Sequence, residues 1–447
     1  MQRQRASRWI AEGPRWWASA ACLVVVLVLA GAPAAPETPG ADPPGAWRKI
    51  PGRAPAAGDG PGISEADLEA LEAIGYLGAY TDVPDQVGVT HHDPERAQDG
   101  YNLYVSGHAP EAVLADMEGR VIHRWSHDAT ERYGVKPSRN YWRRVHLAEN
   151  GDLYAVCDPH GILKLDQDSR LLWASDGSER THHDLSVTGE GVVYALGKDI
   201  GIRPEFHDRI TLIDDTVVTI APSGRTLSRF PMLAAFGRGP YGAAMHARVR
   251  RFLASQSGSH AESFHTNTIE VLDGSLAGVS PLLKKGNIVF CSPTQSTVWI
   301  IDGETETVVW SWTHDWGRIH QPTFLPDGNW LLFHNSGYQN ADGEWRSRVV
   351  EYDFPGCNEV WSYGGIKGLP ETEFYSGTSS LADRLPNGNT LITVSESGRA
   401  IEVTPDKEVV WEFSNPKRAG ENNELIATLF QVERIPRSYC KSWLTGP

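Results

Sequence analysis

Three histidines, His183, His265 and His320, stand at corresponding places in separate repeats of the chain, and they are the residues best equipped for chemistry. Counting back eight positions from a turn glycine reaches His183 from Gly191 and His320 from Gly328. The same count reaches Arg143 from Gly151 and Ser380 from Gly388, and the stretch from His265 to Gly274 opens in the same way. Residues at one repeat position converge if the repeats are arranged in a circle. Three convergent imidazoles admit two chemistries. They could hold a zinc ion with an open fourth position for hydrolysis, although no His-x-His or His-x₃-His spacing surrounds any of the three. Alternatively, one neutral imidazole attacks an electrophile while its neighbours stabilise the charge that gathers on oxygen. Arg143 and Arg144, next to the first repeat position, add positive charge for an anionic substrate.

The elements that position these residues are short strands. Turn-strand segments end in tryptophan at Trp125, Trp173, Trp310, Trp361 and Trp411, with Phe230 as the sixth copy. Their spacing is about 50 residues, stretched once by an insertion over residues 231–285. Ahead of them run alternating segments such as 161–166, 297–302, 348–353 and 400–404, joined by Asp-Gly and Asn-Gly turns at 327–328 and 387–388. After residue 80 almost nothing carries helical period. Four strands per unit and six units predict an all-β, six-bladed β-propeller over residues 90–440. The unit beginning at Gly100 lacks an inner strand, and the segment from Ile426 to Ile435 has no unit of its own, so it is expected to complete the first blade and close the ring. A tryptophan at one place in every repeat reads as blade-to-blade packing.

Ahead of the repeats, Arg3, Arg5, Arg8 and Arg15 precede an apolar run from Trp16 to about Ala30 and a small-residue stretch. Residues 1–35 therefore read as a signal peptide or a membrane anchor, and the protein as exported, periplasmic or extracytoplasmic. Residues 36–62 are a Pro/Ala/Gly-rich flexible linker, and Leu68, Leu71, Ile74 and Leu77 mark a short amphipathic helix at 63–80. A net charge of −15 without a basic block argues against nucleic acid as a partner. No Cys-x-x-Cys pair supports a zinc knuckle or a thioredoxin-type site. The oligomeric state is open.

The segments His182-His183-Asp184, Phe264-His265-Thr266-Asn267, residues 286–296, and residues 320–329 with their His-x₅-Pro-x-Gly-Asn pattern resemble the bacterial arylsulfate sulfotransferases, a likeness covering most of residues 90–435. The resemblance implies a six-bladed propeller, without a cofactor or metal, that moves a sulfuryl group from an aryl sulfate donor to a phenolic acceptor and uses no nucleotide sulfate. It implies that His320 is the nucleophile and becomes transiently sulfated, that His183 and His265 hold sulfuryl oxygens or handle protons, and that Asn267 lies in the substrate site. The family's arginine in the strand after the His-x-Asn element is replaced here by Pro293, so either Arg143, Arg144 or Arg318 supplies that charge or the activity differs or has been lost. Two other classes stay open: a non-catalytic exported propeller that binds a ligand or partner, and a quinoprotein-type dehydrogenase, for which the vicinal Cys-Cys pair is missing.

Overall fold

The computed structural model describes residues 46–49, 85–136, 139–340, 342–365, 372–420 and 423–444. The expected signal or anchor segment, most of the linker and the expected helix at 63–80 lie outside the described residues.

Alternating apolar residues and tight turns fold the repeats into six antiparallel four-stranded sheets around a channel. The innermost strands, in ring order, are Leu429–Ile435, Arg144–Leu147, His182–Val187, Thr268–Val271, Ile319–Phe324 and Leu381–Arg384. Blade 1 closes as expected: Leu429–Ile435 pairs antiparallel with Tyr101–Ser106, matching Ile435 to Tyr101 and Val432 to Tyr104. The closing strand begins later than the sequence indicated, because Leu425–Ala427 belongs to a separate small sheet with Trp47–Lys49 and Arg418–Ala419. Three residues of the expected linker are therefore strand. Gly88–His92 adds a fifth, outermost strand to blade 6.

The core is divided into six wedges, each between adjacent sheets. One joins Tyr154, Val156 and Ile162 of blade 2 to Leu185, Val193 and Val218 of blade 3, and another joins Leu391 and Ala400 of blade 6 to Tyr104, Val113 and Val432 of blade 1. The repeated tryptophans fasten these wedges. The indole N–H of Trp125 donates to the Gly151 carbonyl at 3.1 Å, Trp173 to Pro222 at 2.9 Å, Trp361 to Pro405 at 2.9 Å and Trp411 to Met117 at 3.0 Å, in every case on the next blade. Trp125 and Trp411 are fully buried with their one polar atom bonded, as a buried indole requires, while Trp173 and Trp361 are half-buried at the outer edge of their wedges.

The insertion corrects one expectation. Blade 3 extends into a long hairpin, Val193–Arg203 with His207–Ile220, and is followed by helices Met232–Arg238 and Gly242–Ala254 and by His260–Glu262, which runs parallel to His207–Ile220. Met245, Val249 and Leu253 recur every fourth residue and are buried, so helical period was present in this stretch after all. The alanines and arginines between them diluted the signal. Phe236 from the shorter helix stacks on Phe264 with ring centroids 5.4 Å apart, which ties the insertion to the residue preceding His265.

Candidate active site at the channel mouth

The inner strands all run the same way along the channel, so the residues at their starts gather at one mouth. There the backbone is irregular. His183 and His265 have φ of 56° and 52°, in the left-handed region that non-glycine residues seldom occupy, and Gln321 has φ of 47°. His183 lies inside a bulge between the pairs His182–Leu196 and Leu185–Ala195, whereas His320 pairs with Phe333 just ahead of its own bulge. The glycine count therefore reached histidines at the starts of two inner strands but hid a difference of one pairing step between them.

His183 and His265 meet edge to face, with ring centroids 4.9 Å apart. Behind His183 stands His182, whose Nε2–H donates to the Gly197 carbonyl at 3.2 Å, leaving its Nδ1 to accept from Nδ1–H of His183 at 2.8 Å. The outward nitrogen of His183 is thus its unprotonated Nε2. Burial, followed by the charges of Arg143, His265, His182 and Lys198, pushes the proton affinity of His183 well below the ordinary imidazole value.

His265 is anchored from three sides. The Thr266 amide donates to Asp215 Oδ2 at 2.5 Å, Gln295 Nε2 donates to the Ser263 carbonyl at 2.6 Å, and the His265 Nδ1–H donates to Glu262 Oε2. Lys198 Nζ holds the other oxygen of Glu262 at 2.5 Å.

His320 has the most defined surroundings. Its Nδ1 lies 2.6 Å from Oδ1 of the buried Asn335, and Asn335 Nδ2 donates to the carbonyls of Ser376 at 2.8 Å and Ser379 at 2.9 Å. Those two carbonyls accept only, so they fix which end of the amide faces His320. Asn335 must present its oxygen, Nδ1 of His320 must carry the proton, and Nε2 is left with a free lone pair. Burial lowers the His320 imidazole to about 3, against the opposing bond to Asn335 and with help from the charges of Arg143, His265 and Arg144. The ring is neutral at pH 7.

The arginines divide. Arg143 sits at the mouth, 3.6 Å from Asp158, 3.4 Å from the Ser379 hydroxyl and over the Phe430 ring at 5.2 Å. Arg318 is exposed at the rim and donates to the Gly377 carbonyl at 3.4 Å. Arg144 points elsewhere: its Nε pairs with Asp184 at 3.1 Å, and both line a channel cavity of about 440 Å³ that also receives Glu270, Asp383 and Glu433 and none of the three histidines. Asn267 is buried, with its amide engaged by the protein. Its Nδ2 donates to the Ile319 carbonyl at 2.9 Å and its Oδ1 accepts from Cys291 and Thr268, so it ties blade 4 to the start of the blade 5 inner strand, next to His320. Among the described residues, no group of three or more His, Cys, Asp or Glu is disposed to hold a metal ion. Cys157, Cys291, Cys357 and Cys440 are free.

The model of the arylsulfotransferase (ASST) family matches residues 149–416, more than half of the chain. The chain belongs to the arylsulfotransferase family. The chain has no match among curated proteins. Among solved structures it is similar to a protein of unknown function from Bacteroides caccae, at 12% identity and TM-score 0.47 over 74% of this chain and 99% of that one. It is also similar to the streptogramin B lyase structure, at 11% identity and TM-score 0.39 over 79% and 94%.

Sequence reasoning passed over Asn335, Glu262 and Lys198. Asn335 reaches His320 only through strand pairing, which leaves no local spacing to read. Glu262 stands three residues before His265, a visible signal, but it lies in an insertion whose path could not be read from the repeat.

Proposed function

We propose that this arylsulfotransferase moves a sulfuryl group from a phenolic sulfate ester to a second phenol, without a nucleotide sulfate donor and through a covalent sulfate on His320. The observation that carries this reading is the Asn335 amide. It commits the His320 proton to Nδ1 and leaves Nε2 as a neutral nucleophile in a mouth that also holds Arg143 and two further imidazoles.

The ester anion enters with its sulfuryl oxygens towards the Arg143 guanidinium and its aryl oxygen towards His265. His320 Nε2 attacks sulfur, the S–O bond to the aryl group breaks, and the departing oxygen takes the bonding pair and a proton from Nε2 of His265. Transfer of this kind depends chiefly on alignment and on stabilising charge over three oxygens, as phosphoryl transfer does. A phenolate is the conjugate base of an acid of pKa about 10, so a proton donor near the leaving oxygen assists departure. The acceptor phenol then gives its proton to His265 and its oxygen attacks sulfur. The N–S bond breaks and its electron pair returns to His320. Both half-reactions balance, and the enzyme regains its starting protonation.

The test is turnover of 4-nitrophenyl sulfate with phenol as acceptor, together with transfer of ³⁵S from the donor to protein. Wild type is expected to turn over and to become labelled. His320→Ala is expected to lose both by more than about a thousandfold while keeping its melting temperature. Wild-type protein that neither turns over nor labels with several aryl sulfates would remove this reading. Export belongs to the same proposal, supported by the arginines and apolar run of residues 1–35 and tested by sequencing the mature N-terminus from an extracytoplasmic fraction.

A further inference from the structure

Of the imidazoles at the mouth, only His265 has its inner nitrogen hydrogen-bonded to a carboxylate within hydrogen-bonding distance, and that carboxylate comes from the insertion and not from the repeat. Glu262 ends the strand His260–Glu262, held in place by parallel pairing with His207–Ile220. From there its Oε2 accepts from His265 Nδ1, and its Oε1 accepts at 2.5 Å from Lys198 on Val193–Arg203, the strand beyond His207–Ile220. The Glu262 side chain is about one quarter exposed, 26%, so the pair is partly shielded from water. The inner nitrogens of the other two are hydrogen-bonded to neutral acceptors, His183 to the His182 ring and His320 to an amide, with the Asp158 carboxylate standing off His183 Nδ1 at 3.9 Å, beyond hydrogen-bonding distance.

A neutral acceptor fixes a tautomer without favouring the charged ring. A carboxylate does both, because it also stabilises the imidazolium that exists before the proton is given away. Burial works to raise the Glu262 carboxyl, but the bond from His265 and the charges of His265 and Lys198 outweigh it and hold the group below the usual carboxylate range, so it is ionised at neutral pH. The three inner partners thus sort three chemically identical side chains into different roles.

We infer that Glu262, braced by Lys198, is the positioning residue that makes His265 the acid for the departing phenol and the base for the incoming one. This deepens the sulfuryl-transfer reading and rests on it. His265 passes its Nε2 proton to the leaving oxygen and recovers a proton from the acceptor, while Nδ1–H stays on the Glu262 carboxylate throughout. Glu262 itself touches no substrate.

The experiment compares wild type, Glu262→Gln, Glu262→Asp and Lys198→Met over a series of aryl sulfates running from 4-nitrophenyl through phenyl to 4-methylphenyl. The readout is the slope of log kcat/KM against leaving-group basicity. A donor that needs little proton assistance should barely register the loss of Glu262. We expect Glu262→Gln to fall about threefold on 4-nitrophenyl sulfate and about thirtyfold or more on phenyl sulfate, giving a steeper slope, in keeping with the range of general acid effects. Glu262→Asp should recover part of the slope, and Lys198→Met should steepen it to a smaller degree. A change in fold alone would lower all donors by one factor and leave the slope where it was, and that result with active wild type overturns this inference by itself. Wild type inactive on every donor overturns the sulfuryl-transfer reading and this inference together.

Discussion

Replacing Asn335 with aspartate separates the two tasks of that residue. The acceptor facing His320 remains, but the donor to Ser376 and Ser379 is lost and a charge is added beside the ring. With Nδ1 and Oδ1 2.6 Å apart, the centres of the two charged groups lie roughly 4 Å apart, where unit charges attract by about 4 kcal/mol at an effective dielectric of 20. Some of that attraction is lost because the new carboxylate faces two carbonyl oxygens and is itself reluctant to ionise. About 3 kcal/mol remains, which raises the proton affinity of His320 by a factor of about a hundred or more. The sign follows from the attacking species being the neutral ring: stabilising the imidazolium removes nucleophile at low pH. In wild type, burial holds the group at about 3, so protein sulfation by a single turnover of labelled donor should lose no nucleophile between pH 5 and 8. In Asn335→Asp the ratio of variant to wild-type rate should fall as pH drops below about 6 and recover above it. Taking the ratio cancels the titration of other groups at the mouth. A variant whose rate relative to wild type is independent of pH would refute the claim that His320 acts as a neutral nucleophile held through Nδ1.

Two further predictions concern groups on either side of the mouth. Arg143→Met should raise KM for an aryl sulfate about tenfold, the worth of one charge-assisted contact, while Arg144→Met should leave KM unchanged and lower stability by stranding Asp184, as steady-state kinetics and urea titration would register. Burial and the nearby Asp184 raise Glu270 from 4.5 to about 8, so its neutral form is favoured by folding. That contribution is complete below pH 4.5 and is lost as pH rises through about 8. Glu270→Gln should therefore be more stable than wild type at pH 9, by on the order of 2 kcal/mol, with the advantage gone at pH 5. An equal stability difference at both pH values in urea would contradict it.

The ring was legible because its physics repeats. A tryptophan, once a phenylalanine, about every 50 residues and an Asp-Gly or Asn-Gly turn in four of the six units are the same packing and turn problem solved again from blade to blade, and a signal that recurs survives ambiguity in any one copy. Even the closure could be read, since an inner strand missing at Gly100 and a surplus one near Ile435 are two halves of one fact. The three histidines were legible for the same reason: each occupies a repeat position. What could not be read is whatever breaks the repeat. Arg143 and Arg144 are neighbours in sequence, yet strand alternation sends them to different surroundings, one to the mouth and one to the cavity beneath. Asn267 looked available for substrate, but its amide is used up between blades 4 and 5.

That division bears on how the site acquires direction. Six equivalent blades supply a ring of equivalent positions, and equivalence cannot by itself tell a nucleophile from an acid. The distinction comes from the residue behind each ring: an amide for His320, a second imidazole for His183 and a carboxylate for His265. Only the last lies in the insertion, whose anchoring is also aromatic, through Phe236 on Phe264. Loosening that stack should therefore disturb the acid more than the nucleophile. The loss in Phe236→Ala should grow with leaving-group basicity as it does in Glu262→Gln, and a loss equal across all donors would show that the insertion supports the fold and not the proton transfer.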